Sequence, residues 1–276
     1  MKIAAIQMTS GPEVTVNLEQ ARALLEESAA RGAGLAVLPE NFSFMGLKDA
    51  DKRTVAETDG HGPAQDFLAA TARRLRLWIV GGTVPLASGS GGRVAAASLV
   101  YDSDGVRVAR YDKIHLFDVD LPGRTESYRE SANVAPGGRA ALLDTPFGRL
   151  GLSVCYDVRF PELYRHLSAQ GAQVLTVPSA FTSPTGRAHW ETLLRARAIE
   201  NLCYVVAPAQ SGFHASGRET YGDSMIVDYW GRVLQRVPRG RGCAVAEIDL
   251  AAQAGVRESF PALTHRAFAP QPGAGQ

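Results

Sequence analysis

Cysteine is scarce in this chain of 276 residues: there are three, Cys155, Cys203 and Cys243. The number is odd, the spacings are wide and no CxxC pair occurs. A disulfide framework and a thiolate zinc site are therefore not expected, and a reducing, cytoplasmic compartment fits such usage. Charge of one sign is also lacking. The formal net charge is +1, so no surface for a polyanion such as nucleic acid is implied. No apolar run reaches the roughly 18 residues of a membrane span. The N-terminus, "MKIAAIQMTS", reads as a buried strand rather than a signal peptide. The six histidines form no HxH or HxxxH pair, so nothing points to a metal. Neither GxGxxG between strand and helix nor GxxxxGK[ST] is present, so no phosphate loop is expected. No long-period repeat occurs.

What is there is ordinary for a globular chain: 45% hydrophobic and 21% charged residues, enough for a sizeable core. The runs "KIAAIQM", "GLAVLPE", "LWIVGGTV", "AAASLVY", "LGLSVCY", "QVLTVPSA", "CYVVAPAQ", "SMIVDYW" and "CAVAEIDL" are near-continuous rather than alternating. That pattern predicts strands covered on both faces. Helical patterns lie between them: 17–31 with Asn17 as N-cap, 64–76 after Pro63, 161–170 ending at Gly171, and 187–201. Asp104-Gly105 marks a hairpin turn and Trp230-Gly231 a second. The segment 87–93 reads as a surface loop. Strands and helices intermix from end to end, so one α/β domain over residues 1–270 is expected, with a frayed tail at 271–276.

Three runs stop on reactive groups. "LAVLPE" ends on Glu40, "VARYDKIHL" carries Lys113 and "LGLSVC" ends on Cys155. In open α/β sheets ligands bind beyond the strand C-termini, so the three could converge there. A carboxylate within reach can take the thiol proton, a following helix can favour the thiolate, and a lysine can stabilise an oxyanion. Each has a plain alternative: a buried structural thiol, a turn-capping acid, a surface ion pair with Asp112. A cysteine–histidine dyad using His115 or His189 is the rival chemistry for Cys155.

Together "LAVLPENF", "RYDKIHLFDVDLPG" and "GLSVCYDVRFPELYR" resemble the nitrilase superfamily of carbon–nitrogen hydrolases. So do "VLTVPSAFTSPTGRAHWETLLRARAIENLCYVVAPAQSG" and "YGDSMIVDYWGRVL". The resemblance runs from "KIAAIQM" to about His265. It implies a four-layer α-β-β-α sandwich and a cofactor-free, metal-free hydrolase with Glu40, Lys113 and Cys155 as catalytic residues. It also implies Glu130 as a second glutamate beside Lys113, with Glu126 the competitor, and the Tyr156 N–H as an oxyanion donor. Homodimers or larger homo-oligomers are implied, paired through the "CYDVRFPELYR" and 187–201 helices.

Within the superfamily the segments are most similar to the deaminated glutathione amidase branch, with the ω-amidases acting on α-ketoglutaramate adjacent. Both cleave an amide at the far end of a small 2-oxo acid. By that resemblance Arg159 would grip the substrate carboxylate, Phe181 would wall the acyl chain and Thr185 would donate a hydrogen bond. Arg187 and His214 are expected near a larger leaving group. True nitrile hydrolysis is less consistent with the segments around Lys113 and Cys155. A catalytically silent protein that binds a partner is the alternative from another class.

Overall fold

A computed structural model of the chain describes residues 1–89, 91–123 and 126–267. The expected tail at 271–276 lies outside the described residues. Among them the strands are β1 (Lys2–Gln7), β2 (Leu35–Val37), β3 (Trp78–Val80), β4 (Val84–Ala87), β5 (Val94–Tyr101), β6 (Arg107–Asp112), β7 (Asp118–Asp120), β8 (Ser127–Arg129) and β9 (Val134–Ala135). The second half adds β10 (Ala141–Thr145), β11 (Gly148–Leu152), β12 (Val174–Thr176), β13 (Tyr204–Ala207), β14 (Ser211–Phe213), β15 (Glu219–Tyr221), β16 (Ser224–Val227), β17 (Val233–Val237) and β18 (Gly242–Glu247). The helices are α1 (Val14–Ala30), α2 (Pro63–Leu75), α3 (Pro161–Ala169), α4 (Ser183–Asn201) and α5 (Leu250–Ser259).

Two sheets carry the fold. One has the order β18-β1-β2-β3-β5-β4, with β6 and β9 also on β5; the other runs β10-β11-β12-β13-β16-β17. Side chains alternate along the strands and so reveal the layers. Ile3 and Ala5 of β1 join a core shared with Leu150, Leu152 and Val205 of the second sheet. Ala4 and Ile6 point the other way, into a core with Leu18, Leu25 and Leu68 of α1 and α2. Helices α3 and α4 cover the outer face of the second sheet, through Leu167, Trp190 and Leu194. The result is an α-β-β-α sandwich. The inner strands read as continuous apolar runs because each is buried on both faces.

Strand direction sets up the site. β2 and β3 run parallel to β1. β5 is antiparallel to β3, and β6 is antiparallel to β5. β6 therefore ends at the same edge as β2. In the other sheet β11, β12 and β13 are mutually parallel.

Two helix starts differ from the sequence reading. Asn17 is not the cap of α1, which begins at Val14 after Glu13. Its side chain instead holds the Gly11 N–H and donates to Gly11 O and Ser43 O at 2.8 to 2.9 Å. A buried amide here fastens a loop, a demand that outranks capping. Helix α4 starts at Ser183, not near Arg187, with Pro184 in its first turn. Gly186 fits there because Tyr221 packs where a Cβ would stand, at 2.2 Å.

Candidate active site

Glu40 follows β2 after the short link Leu38-Pro39. Its segment is fastened by Gln210, which donates to Glu40 O at 3.0 Å. Gly82, with φ +44°, lies so close that a Cβ would stand 1.9 Å from Pro39 O, so only glycine fits. Lys113 directly follows β6, and its N–H donates to Ala96 O of β5 at 3.1 Å. Cys155 follows β11 and opens a 3-10 turn, Cys155–Arg159. The ends of three strands from two sheets thus deliver three groups to one cavity.

Lys113 Nζ donates to Glu40 Oε1 at 2.8 Å and to both oxygens of Glu130 at 2.8 and 3.0 Å. Glu130 also accepts from the Phe117 N–H at 2.7 Å. Glu126 instead accepts from the Tyr128 hydroxyl, so Glu130 is the acid that reaches Lys113.

The electrostatics of the cluster follow from burial and from one cation between two acids. Burial alone would raise the Glu40 carboxyl, but the Lys113 charge and hydrogen bond outweigh it and hold it below the ordinary value. Burial alone would lower the Lys113 ammonium; the charges of Glu130 and then Glu40 raise it well above the usual lysine range. For Cys155, burial and then the Glu40 charge push the thiol up, and Lys113 does not offset them. The resting state is therefore a neutral thiol beside a carboxylate. This corrects the expectation that a following helix favours the thiolate. A thiolate would place a negative charge, withdrawn from water, beside the Glu40 carboxylate.

Cys155 is buried, at 7% exposure, and follows an interior strand rather than standing exposed at a sheet edge. Its φ is +50°, a left-handed conformation that costs a non-glycine residue on the order of 1–2 kcal/mol. The surroundings enforce it: Cys155 N–H donates to Pro178 O at 2.9 Å, and Asp157 clamps the turn from inside.

Asp157 is fully buried. One oxygen accepts from Val154 N–H at 2.8 Å and from the Tyr111 hydroxyl at 2.7 Å. The other accepts from His115 N–H at 3.0 Å and meets His115 Nδ1 at 2.7 Å. Tyr111 and His115 flank Lys113, so this carboxylate ties the cysteine turn to the lysine segment. Sequence reading did not single out Asp157. A buried acid whose partners lie far along the chain leaves no local pattern.

The histidine dyad does not form: His115 is engaged by Asp157 and stacked on Phe160 at 3.7 Å. His189 Nδ1 contacts Arg159 Nη1 at 3.2 Å. Tyr156, Arg159, Phe181 and Thr185 do line the cavity. Arg159 lies over the rings of Tyr156 and Phe181, at 5.8 and 5.4 Å. Thr185 Oγ1 is within 2.7 Å of Thr182 Oγ1, in the first turn of α4 rather than in a loop. The Tyr156 N–H has no hydrogen-bond partner among the described residues. His214 faces inward to Ser10 O and Thr220 Oγ1 and does not line the main cavity. Arg187 lies outside the main cavity, on an adjoining groove. Arg218 lines the cavity and was missed, because nothing in "GFHASGRET" marks it.

The arrangement can deprotonate a thiol, present sulfur to an electrophilic carbon and hold a developing oxyanion. Comparison with known proteins agrees. A family model described as carbon-nitrogen hydrolase matches residues 2–258. A Synechocystis protein named deaminated glutathione amidase is 45% identical over 271 residues, 96% of this chain and 97% of that one. The crystal structure of the C. elegans NitFhit protein matches with a TM-score of 0.90 at 40% identity over 98% of this chain; the chain spans 66% of that longer one. Saccharomyces cerevisiae Nit3, a member of branch 10 of the nitrilase superfamily, matches with a TM-score of 0.87 at 30% identity, over 97% of both chains.

Proposed function

The chain belongs to the carbon–nitrogen hydrolase family, and from that premise we propose that it is the amidase of deaminated glutathione, releasing 2-oxoglutarate and cysteinylglycine. The observation that carries the chemistry is the convergence of Glu40, Lys113 and Cys155 on one cavity, with Lys113 Nζ donating to Glu40 at 2.8 Å. The substrate rests on the relative of that name at 45% identity.

As Cys155 sulfur attacks the amide carbon, its proton passes to Glu40 and the carbonyl electrons move to oxygen. Lys113, held protonated by its two carboxylates, and the Tyr156 N–H stabilise that oxyanion. One such donor is typically worth about 2.7–4 kcal/mol of barrier. The C–N bond then breaks and Glu40 returns its proton to the leaving nitrogen, so cysteinylglycine departs and an oxoglutaryl thioester remains. Water attacks the thioester and gives a proton to Glu40. The C–S bond breaks, the sulfur regains that proton, and 2-oxoglutarate leaves. Glu130 orients Lys113. Arg159 takes the 2-oxo carboxylate, with Phe181 and Thr185 along the acyl chain.

Incubation with deaminated glutathione, α-ketoglutaramate and a panel of nitriles tests the reading. Cysteinylglycine is expected to form from the first at the highest kcat/KM. Faster ammonia release from α-ketoglutaramate would replace the substrate. No product from any of them would favour a silent binding protein.

We further propose one hydrolase domain over 1–270 that pairs into a homodimer. Support for pairing is an exposed apolar patch: Ile199 lies against Gly231, and the neighbouring Trp230 meets Phe260 edge-on at 5.6 Å. Light scattering is expected to give twice the chain mass, reduced to the single mass by Trp230→Glu; a single mass in the unmodified protein would refute pairing. A cytoplasmic location fits the three free cysteines, and cell fractionation checks it.

A further inference from the structure

The acid–base cluster is closed upon itself, yet the cavity around it carries more positive charge than the chemistry uses. Besides Lys113 its walls hold Lys52, Arg159 and Arg218, against Asp49 as the acid outside the cluster. Among the described residues none of these three cations has a carboxylate within ion-pair distance. A cation partly withdrawn from water without a counter-charge costs free energy that an anionic ligand can offset.

Arg218 is the informative one. It stands in the turn between β14 and β15, with its guanidinium 5.2 Å from the Tyr128 ring centroid. One terminal nitrogen donates to Ala180 O at 2.5 Å. Nε is buried and has no acceptor among the described residues. A guanidinium has five N–H donors in a planar fork, so most of its capacity is unspent. Its position is a junction. Arg218 lines the main cavity, a hollow with Lys48, Lys52 and Ser216, and the outer groove with Ser183 and Phe213. A group extending from the main cavity toward either neighbouring hollow would run beside it. Arg159, by contrast, is confined to the main cavity and packed between Tyr156 and Phe181.

We infer that Arg218, assisted by Lys52, forms a second anion subsite that takes the terminal carboxylate of the departing dipeptide. The inference rests on the amidase reading above and deepens it. Deaminated glutathione carries two carboxylates, one beside the 2-oxo group and one on its glycine. α-Ketoglutaramate carries only the first. Two separate cationic grips suit the dianion, and the second is what distinguishes an amide with a peptide leaving group from one that releases ammonia.

The test is a cycle of one protein change and one substrate change. kcat/KM is measured for the unmodified protein and for Arg218→Gln, each with deaminated glutathione and with its glycine carboxamide. In the unmodified protein, amidating the glycine carboxylate is expected to lower kcat/KM by about ten- to hundredfold, the size of a charge-assisted hydrogen bond. In Arg218→Gln the same substrate change is expected to cost less than about threefold, because the partner is already gone. If Arg218→Gln loses activity equally on both substrates and keeps the full discrimination, Arg218 is merely structural and the subsite is overturned while the amidase reading stands. If the unmodified protein hydrolyses neither compound, both are overturned. Arg218→Lys controls for folding: it is expected to keep part of the discrimination, and its complete loss alongside an unchanged thermal midpoint would assign the effect to guanidinium geometry.

Discussion

Replacing Cys155 with alanine is expected to lower kcat/KM for the amide by about 10⁴-fold or more, the scale seen when a covalent nucleophile is removed. The thermal midpoint should hardly move. The thiol is a small part of a well-braced turn: Pro178 O still accepts the residue-155 N–H, and Asp157 still holds Val154, Tyr111 and His115. Alanine keeps the same backbone strain at φ +50°, so no conformational relief enters the comparison. Rapid quenching of the unmodified protein with substrate followed by mass spectrometry should reveal one added oxoglutaryl group, absent from the variant. If Cys155→Ala kept more than about one hundredth of the activity, or the adduct formed without the sulfur, the nucleophile would have to be sought elsewhere.

The expected pH behaviour follows from the same cluster. A thiol pushed up by burial and by Glu40 is not ionised in the resting site near neutrality. Proton transfer to Glu40 moves charge within the cluster rather than adding any. Activity should therefore fall on the acid side as Glu40 becomes protonated. Because Lys113 holds that carboxyl low, the midpoint of the fall should lie below the ordinary glutamate value of about 4.3.

How much of this was readable from sequence depends on whether the cause was local. The inner strands were legible because a strand buried on both faces must be apolar throughout. Glu40, Lys113 and Cys155 were legible as reactive groups at strand ends, and the family resemblance joined them. The hairpins β7–β8 and β14–β15 were not. "DVD", "SYR" and "ETY" are short and polar, and they take strand form from pairing with each other. Asp157 and Arg218 were invisible for a related reason: each matters through partners brought near by the fold. The thiol's ionisation was misjudged because helix position is a local clue, whereas desolvation belongs to the assembled interior.

Lys113→Met should produce the other large effect, and it separates two jobs of one ammonium. Activity is expected to fall by about 10²–10³-fold through loss of an oxyanion donor. Stability is expected to fall by about 3–5 kcal/mol near neutral pH, because buried Glu40 and partly buried Glu130 would then face each other without a cation. In the unmodified protein the Glu40 carboxyl is depressed, so its contribution is present above the ordinary carboxylate pKa and is lost as pH falls through the folded value. The Lys113 ammonium is raised, so its contribution is present below the ordinary lysine pKa and is lost only as pH rises through that higher value. Between about pH 5 and about pH 8 both contributions are intact in the unmodified protein. The variant differs: without the ammonium, burial pushes the Glu40 carboxyl up, and it takes up a proton as pH falls. Its thermal deficit should therefore narrow on going from about pH 8 to about pH 5. Adding Glu130→Gln removes one of the two charges, and should restore part of the stability without restoring turnover. A deficit that stays constant with pH, or a double variant that recovers activity, would mean that the ammonium neither balances the two carboxylates nor meets the oxyanion.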